Sequence, residues 1–339
     1  MKIAQIAPPW WTIPPKGYGG IERVVALLTE GLVERGHEVT LIAPSGSETR
    51  ATFLPSMEPM HNYLGSVAVE TENTLFAYQA ADRFDVIHDH TVAGLTVSPF
   101  VRKPVVHTVH GAVLDDIRGL YSNLPPNVHL VAISGSQRLD IPTSACTTIY
   151  NAVAVEEHPW CEQAGEYLLF VGRAAPQKGP MEAIRIAERA GRRLVMLLKV
   201  NETAEHEYFE FLKPHLIRNH VQLELEVTER RKQAYMAGAF ATLFPISWEE
   251  PFGLVMIESM VAGTPVIGFR RGSVSEIVEH GVTGFVCDDV ESAAEAVAKV
   301  KELSRRSCRE RVERLFSARG AIERHEALYR DLVEAHAYD

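Results

Sequence analysis

The sequence predicts an α/β chain made of two successive doubly wound units, and three observations predict it. Short apolar runs of strand length alternate with longer stretches of helical spacing. The alternation restarts after a polar, irregular stretch over residues 155–166. The 339 residues suit about two domains at one per roughly 150 residues, each large enough to bury a core of its own. Alternation of this kind implies parallel strands covered by helices on both faces.

Residues 2–7 are a buried first strand. After a loop rich in Pro, Gly and aromatics over 8–18, Ile21, Val24, Val25, Leu28 and Leu32 recur on one helical face. Gly36 is placed to stop that helix, because glycine takes the left-handed backbone of a helix C-terminus without steric cost. Residues 37–43 form a second strand, and further strands are expected at 84–88, 104–107, 128–133 and 147–150. The second unit opens with a strand over 167–172, followed by a helix at 181–190 and strands at 194–198, 240–244, 265–269 and 284–287 with helices between. From Glu291 on the composition is helical, and Phe316, Ile322, Leu328, Tyr329 and Leu332 mark a helix packing back onto another surface. The resulting division is residues 1–155, residues 156–317, and a C-terminal helix over 318–339 that returns to the first unit.

Charge and composition exclude several classes. Lys and Arg number 34 against 44 Asp and Glu, a net charge of -10, so no basic field is present to hold a polyanion by counterion release. Nucleic acid is not an expected partner. Cys146, Cys161, Cys287 and Cys308 form no C-x-x-C pair and read as free thiols of a reducing compartment. The first residues are apolar but stopped by Pro8 and Pro9, unlike an export signal, and no run reaches the roughly 18 apolar residues of a spanning helix. The expected location is the cytoplasm.

Three segments carry chemistry. The first strand empties into Gly17-Tyr18-Gly19-Gly20-Ile21-Glu22 just before a helix, where adjacent glycines admit a ligand close to the backbone and the helix N-terminus offers unpaired N–H groups to an anion. The bland alternative is a tight turn. The third glycine of a dinucleotide fingerprint is replaced by Glu22, and Ala43-Pro44 at the end of the second strand supplies no acid for a ribose, so NAD is disfavoured.

In the second unit Gly172-Arg173 through Lys178-Gly179 follows the opening strand and places two cations at the carboxyl end of a central strand, where open α/β sheets bind ligands. It lacks the order of a Walker loop. The third segment is Ser247 through Ile267, in which Pro251 suits a first helical turn, the helix runs from Phe252, and Gly263 stops it. Glu250 stands just before that helix and Glu258 two turns into it, so the two carboxylates address different parts of one extended ligand. A lone Glu at a helix start is commonly a cap; a second on an apolar helix is costly to bury unpaired.

These segments resemble the retaining glycosyltransferases of family 4. Glu250-Pro-Phe-Gly with Glu258 is similar to their E-x7-E motif, Gly172-Arg173 to Lys178-Gly179 to their G-R-x4-K-G motif, and Gly19-Gly20-Ile21-Glu22 to their N-terminal glycine loop. His107-Thr108-Val109-His110-Gly111 resembles their strand ending in an active-site His, and Asp85-Val86-Ile87-His88-Asp89-His90 their D-V-x-H-x-H strand end. The motifs follow the family's order along nearly the whole chain.

The resemblance implies the GT-B architecture of two Rossmann-like domains facing across a cleft, with a nucleotide-diphosphate sugar held mainly by the C-terminal domain and an acceptor mainly by the N-terminal one. By position, Arg173 and Lys178 would hold the diphosphate, Glu258 the ribose hydroxyls, and Glu250 with the Phe252, Gly253 and Leu254 amides the donor sugar. His110 would line the sugar site, and Gly19 and Gly20 the donor loop. Loops 200–203 and 227–230 would hold the base through backbone groups, which leaves UDP and GDP undistinguished. UDP-glucose is the first choice of donor.

No cofactor or metal is expected, since no Asp-x-Asp pair occurs; His88 and His90, and His107 with His110, read as hydrogen-bonded or acceptor-side groups rather than a zinc site. Residues 1–155 hold 10 Lys and Arg against 14 Asp and Glu, a difference of -4, without a cluster to attract an anionic bilayer. That favours a small-molecule or glycan acceptor and disfavours membrane association. Where family members carry a glycine-rich turn before Pro-Glu, this chain has Arg270-Arg271-Gly272-Ser273-Val274-Ser275-Glu276, and Glu276 is expected to be structural. The alternatives are an epimerase or phosphorylase of like architecture, or a two-lobed binding protein without catalysis.

Overall fold

The computed structural model describes residues 1–17, 19–163 and 165–336; Tyr18, named above in the glycine loop, lies outside them. The chain divides into two compact units, one of Met1–Ala152 with the segment from Ala318 on, the other Val153–Ser317. The sequence reading placed the junction three residues later.

Unit 1 holds the strands β1 (Lys2–Ile6), β2 (Glu38–Ala43), β3 (Thr52–Pro55), β4 (Val86–Asp89), β5 (Val105–Val109), β6 (Val128–Ala132) and β7 (Cys146–Thr148), with helices α1 (Gly20–Glu34), α2 (Val67–Tyr78), α3 (Gly94–Val97), α4 (Asp115–Ser122) and α5 (Gly135–Asp140). All pairings are parallel, in the order β3-β2-β1-β4-β5-β6-β7. Strand alternation sends Ile3, Val86, Val106 and Val131 to one face and Ala4, Ile87, Val105 and Leu130 to the other. Both faces are covered, which is why these strands read as continuous apolar runs. Each fully buried aliphatic side chain contributes about 1.5–3 kcal/mol relative to exposure.

Unit 2 repeats the plan with β8 (Leu168–Arg173), β9 (Leu194–Lys199), β10 (Gln222–Leu225), β11 (Ala241–Phe244), β12 (Val266–Phe269) and β13 (Gly284–Cys287), ordered β10-β9-β8-β11-β12-β13 and again parallel. Its helices are α6 (Pro180–Ala190), α7 (Thr203–Arg218), α8 (Glu229–Gly238), α9 (Leu254–Val261), α10 (Val274–Ile277), α11 (Val290–Lys299) and α12 (Arg305–Leu315). The last helix, α13 (Ala318–His336), belongs to unit 1, where Ile322, Leu328 and Tyr329 join Leu28 and Leu32 of α1 in one apolar cluster.

Several local expectations are corrected. The helix expected from Phe252 begins at Leu254. The carbonyls of Glu250 and Phe252 are taken by Ser273, whose N–H and hydroxyl donate to them at 3.1 and 2.7 Å, so residues 251–253 are held outside the helix. Phe316 is not part of the returning helix: its ring packs on Phe252 inside unit 2, centroids 5.9 Å apart. The edge strands β3 and β10 were not foreseen, because their half-exposed residues form no apolar run.

In each unit the strand order reverses between the first and fourth strands, β1 beside β4 and β8 beside β11. The crevice outside the carboxyl ends of such a pair is the ligand-binding position of open α/β sheets. The glycine loop follows β1, Asp85 to His90 ends β4, and the two unit 2 motifs follow β8 and β11, while His107 to Gly111 ends β5, the neighbour of β4.

Candidate active site

In unit 2, β8 ends at Arg173 and a short helical turn, Pro176–Lys178, leads to α6; β11 ends at Phe244 and a nine-residue connection leads to α9. The adjacency of β8 and β11 brings the two connections together. Lys178 Nζ donates to Glu250 Oε2 at 2.6 Å, and Trp248 Nε1 donates to the same oxygen at 3.1 Å. The ammonium also lies 4.7 Å from the Trp248 ring centroid, close enough for cation–π attraction. With side chains only 18% and 11% exposed, this pair is poorly screened, and the shared carboxylate oxygen fixes both partners.

Gly253 is the residue before α9 and adopts φ 77°, ψ 71°, a left-handed conformation closed to most side chains. A Cβ there would lie 2.8 Å from Met256 Cε and 2.9 Å from the Phe244 ring. No side chain caps this end, so the first amides of α9 are held with a partial positive charge. The loop after β12 supports Glu250 from behind. Gly272 N–H donates to Glu249 Oε2 at 2.5 Å, and a Cβ on Gly272, at φ 50°, would fall 2.2 Å from the Glu250 carbonyl oxygen.

Arg173 reaches the other way. Its Nη1 donates to Glu205 Oε1 at 3.1 Å and Glu202 Oε1 at 3.4 Å. Glu205 is buried and its second oxygen accepts from the Asn201 and Glu202 N–H groups at 2.9 and 3.3 Å, so the start of α7 orients the carboxylate that holds the arginine. Lys199, at the end of β9, is buried beside them; burial pushes its pKa down while Glu205 and Glu226 oppose the shift. Glu258 lies on α9 with 6% exposure and accepts from Lys232 Nζ of α8 at 2.8 Å. Lys232 is shared with Glu229 at 3.1 Å.

In unit 1, Gly19 precedes α1 without a side-chain cap and Gly20 is its first residue. His90 and His110 follow the ends of β4 and β5. His88, His90, His107 and His110 gather there with His325 of α13: burial lowers all five, His107 and His110 to about 3 and His325 to about 4, and neighbouring imidazoles add to the shift at every one except His107 and His325. They are neutral at physiological pH. Asp89 between them is pushed up to about 7 by burial, against hydrogen bonds from the Thr91 N–H and hydroxyl at 2.8 and 2.7 Å. Among the described residues, no group of three or more His, Cys, Asp or Glu side chains is disposed to hold a metal ion.

Comparison with known proteins decides the family. A family model described as Glycosyl transferases group 1 matches residues 162–315, and one described as Glycosyltransferase Family 4 matches residues 18–157. The chain belongs to the family 4 glycosyltransferases. It is 28% identical over 337 residues to an uncharacterized glycosyltransferase of Methanocaldococcus jannaschii, covering 84% of each chain. Among solved structures it is similar to AviGT4, a glycosyltransferase involved in avilamycin A biosynthesis, with TM-score 0.73, 26% identity and coverage of 99% and 98%. Anabaena HepE in complex with UDP and glucose has the same fold, with TM-score 0.76, 16% identity and coverage of 97% and 99%. The architecture is therefore GT-B, and the protein is an enzyme that uses nucleotide-sugar donors.

For this family 4 glycosyltransferase, the structure joins two of the motif residues directly, Lys178 and Glu250. Phe252, Gly253 and Leu254 adjoin them along the chain. Arg173 and Glu258 instead meet partners the sequence did not single out, Glu205 and Lys232. Gly19, Gly20 and His110 belong to unit 1. Also missed were Trp248 on Glu250 and the support from Gly272 and Ser273. Glu202-x-x-Glu205 has capping-box spacing and could have drawn attention to Glu205; Lys232 carries no local signal. Glu276 lies on α10, and its carbonyl accepts from Arg311 Nη2 at 2.8 Å. Among the described residues no helix is long and apolar enough to cross a membrane.

Proposed function

We propose that this glycosyltransferase moves a hexose, glucose for preference, from a UDP-sugar to a hydroxyl of a small or soluble acceptor, with retention at the anomeric carbon and without a metal ion. One observation carries the reading: Lys178 and Glu250, from connections after β8 and β11, lie at the strand crossover as a 2.6 Å ion pair. In the resting enzyme the two charges satisfy each other. A bound donor separates their tasks, with the ammonium and Arg173 going to the diphosphate and Glu250 to a sugar hydroxyl beside the Gly253 and Leu254 amides. Glu258, paired with Lys232, takes the ribose hydroxyls, and within unit 1, the unit assigned to the acceptor, His110 contacts a substrate hydroxyl.

The chemistry follows from charge. The bond between the anomeric carbon and the β-phosphate oxygen breaks and leaves negative charge on that phosphate. A cation about 4 Å away interacts with it by about 4 kcal/mol at an effective dielectric of about 20, and half of that is more than tenfold in rate. Fixed cations and amides stabilise this charge more as it develops than before. The acceptor oxygen forms the new bond on the same face, and its proton passes to the departing phosphate, so no enzyme carboxylate needs to become a covalent nucleophile.

UDP-glucose is the donor to test first, Anabaena HepE of the same fold having been crystallised with UDP and glucose. The excess of acidic residues in the first 155, 14 against 10, argues against an anionic membrane acceptor. Donor hydrolysis supplies an assay without the acceptor: in water, UDP-α-glucose releases UDP and α-glucose first, followed by NMR before mutarotation, with turnover unchanged by EDTA. β-Glucose as first product contradicts retention, loss of turnover with EDTA contradicts metal independence, and faster turnover of GDP-sugars contradicts the base.

A further inference from the structure

A continuous hydrogen-bonded chain runs inward from His110. His110 Nε2 lies 2.9 Å from His90 Nδ1, and His90 Nε2 lies 2.9 Å from Gln5 Oε1. Gln5 Nε2 donates to the Tyr329 hydroxyl at 3.3 Å; that hydroxyl lies 2.6 Å from His88 Nδ1, and His88 Nε2 lies 2.7 Å from Thr108 Oγ1. Gln5, His88, His90, Thr108 and Tyr329 are all buried, whereas His110 is only half-buried. Tyr329 comes from α13, 324 residues from Gln5 along the chain.

With the Gln5 amide nitrogen toward Tyr329, as the structure has it, donor and acceptor rules set the sense of this chain. The Gln5 amide oxygen accepts only, so His90 carries its proton on Nε2, and the neutral ring leaves Nδ1 as an acceptor. His110 must then place its proton on Nε2. At the other end the Tyr329 hydroxyl accepts from Gln5 and donates to His88 Nδ1, which puts the His88 proton on Nε2, toward Thr108. Tyr329 ties the orientation of the Gln5 amide to His88, because reversing the amide would make the hydroxyl donate to Oε1 and accept from His88 Nδ1–H, turning over every bond of the chain together. With the amide reversed, its NH2 would face His90 Nε2, the His90 proton would move to Nδ1, and the His110 proton to Nδ1 as well.

We infer that Tyr329 and Gln5 are positioning residues, which through His90 hold His110 in its Nε2–H tautomer and leave His110 Nδ1 as a hydrogen-bond acceptor for a substrate hydroxyl. The functional half rests on the reading of His110 as a substrate-contacting residue; the tautomer does not. Such a nitrogen accepts from a hydroxyl and cannot donate to a carbonyl or ether oxygen, so it selects a ligand with a free O–H at that point. Which ring nitrogen is protonated is set by the partner of the other, and the wrong tautomer can cost far more than a lost contact.

Protein labelled with 15N-histidine resolves the two ring nitrogens by long-range 1H–15N spectra, with His110→Ala identifying the resonances. The wild-type enzyme is expected to show His110 protonated on Nε2 alone. Tyr329→Phe is expected to move the His110 proton wholly or partly to Nδ1 and to lower kcat for UDP release from UDP-glucose by about tenfold or more, with KM for the donor within about twofold. A wild-type His110 protonated on Nδ1 overturns the inference even if Tyr329→Phe does not fold, as does an unchanged His110 spectrum in a folded Tyr329→Phe. Full turnover by His110→Ala overturns the functional half alone and leaves the wiring standing.

Discussion

Lys178 Nζ lies 2.6 Å from Glu250 Oε2, which ties the connection after the first strand of unit 2 to the connection after its fourth. The ion pair holds both side chains in place in a protein whose overall charge of -10 repels a diphosphate. In the function proposed, attraction is therefore local and comes from Arg173, Lys178 and the α9 amides.

Lys178→Ala should lower kcat/KM for donor turnover by about a hundredfold, from lost stabilisation of the developing phosphate charge. It should also cost about 1–3 kcal/mol of stability, because the partly buried Glu250 keeps only the Trp248 donor among its named partners. Glu250→Gln, still able to accept from both, should lose less stability than Glu250→Ala. Calorimetry and a UDP-release assay measure the two effects separately.

Gly272→Ala tests the support behind Glu250. At φ 50°, with a Cβ placed 2.2 Å from a backbone oxygen, the substitution must displace residues 249–252 or the 270–273 loop. A loss of about 2 kcal/mol or more is expected from left-handed backbone strain and the clash together. Turnover should fall although the residue reaches no substrate; an unchanged melting temperature and rate would show that the contact carries no strain.

Lys232→Met removes the ammonium from a carboxylate only 6% exposed. Losing that partner loosens the carboxylate assigned to the ribose hydroxyls. The expected outcome is a KM for UDP-glucose raised about tenfold and a loss of about 1–3 kcal/mol, read by steady-state kinetics and thermal unfolding.

The histidine group makes unit 1 acid-sensitive. His88, His90, His107, His110 and His325 are lowered from 6.5, three of them to about 3 or 4. Above pH 6.5 both folded and unfolded imidazoles are neutral and contribute nothing; below it the unfolded chain binds protons that the folded unit refuses. Stability therefore falls with pH from about 6.5 toward 3, by up to about 1.4 kcal/mol per pH unit for each imidazole. Asp89 acts oppositely: raised from 3.8 to about 7, it holds a proton in the folded state over that window and offsets one histidine. Calorimetry should show the unfolding temperature dropping between pH 7 and 5; a flat profile would mean that these rings are protonated in the folded protein.

The parallel sheets were legible because each strand, buried on both faces, prints as an apolar run punctuated by glycines such as Gly36 and Gly263. The motif positions were legible because β8 and β11 deliver them from local segments. What could not be read is what distant segments impose on one another. Lys232 meets Glu258 across 26 residues, Tyr329 meets His88 across 241, and neither pairing leaves a local pattern. The start of α9 was misplaced for the same reason: Pro251 signals a first turn, but Ser273, far along the chain, holds the Phe252 carbonyl. Phe316 reads as part of the returning helix by spacing, yet packs on Phe252.

The central claim is that unit 2 binds and activates a nucleotide-sugar through Arg173 and Lys178, and the most direct measurement is UDP release from UDP-glucose by the wild-type enzyme and by Arg173→Ala and Lys178→Ala. The account predicts slow turnover by the wild type and a fall of about a hundredfold or more in each folded variant. Wild-type rates in both variants, or binding of UDP-glucose by the wild type without turnover under any acceptor, would contradict it.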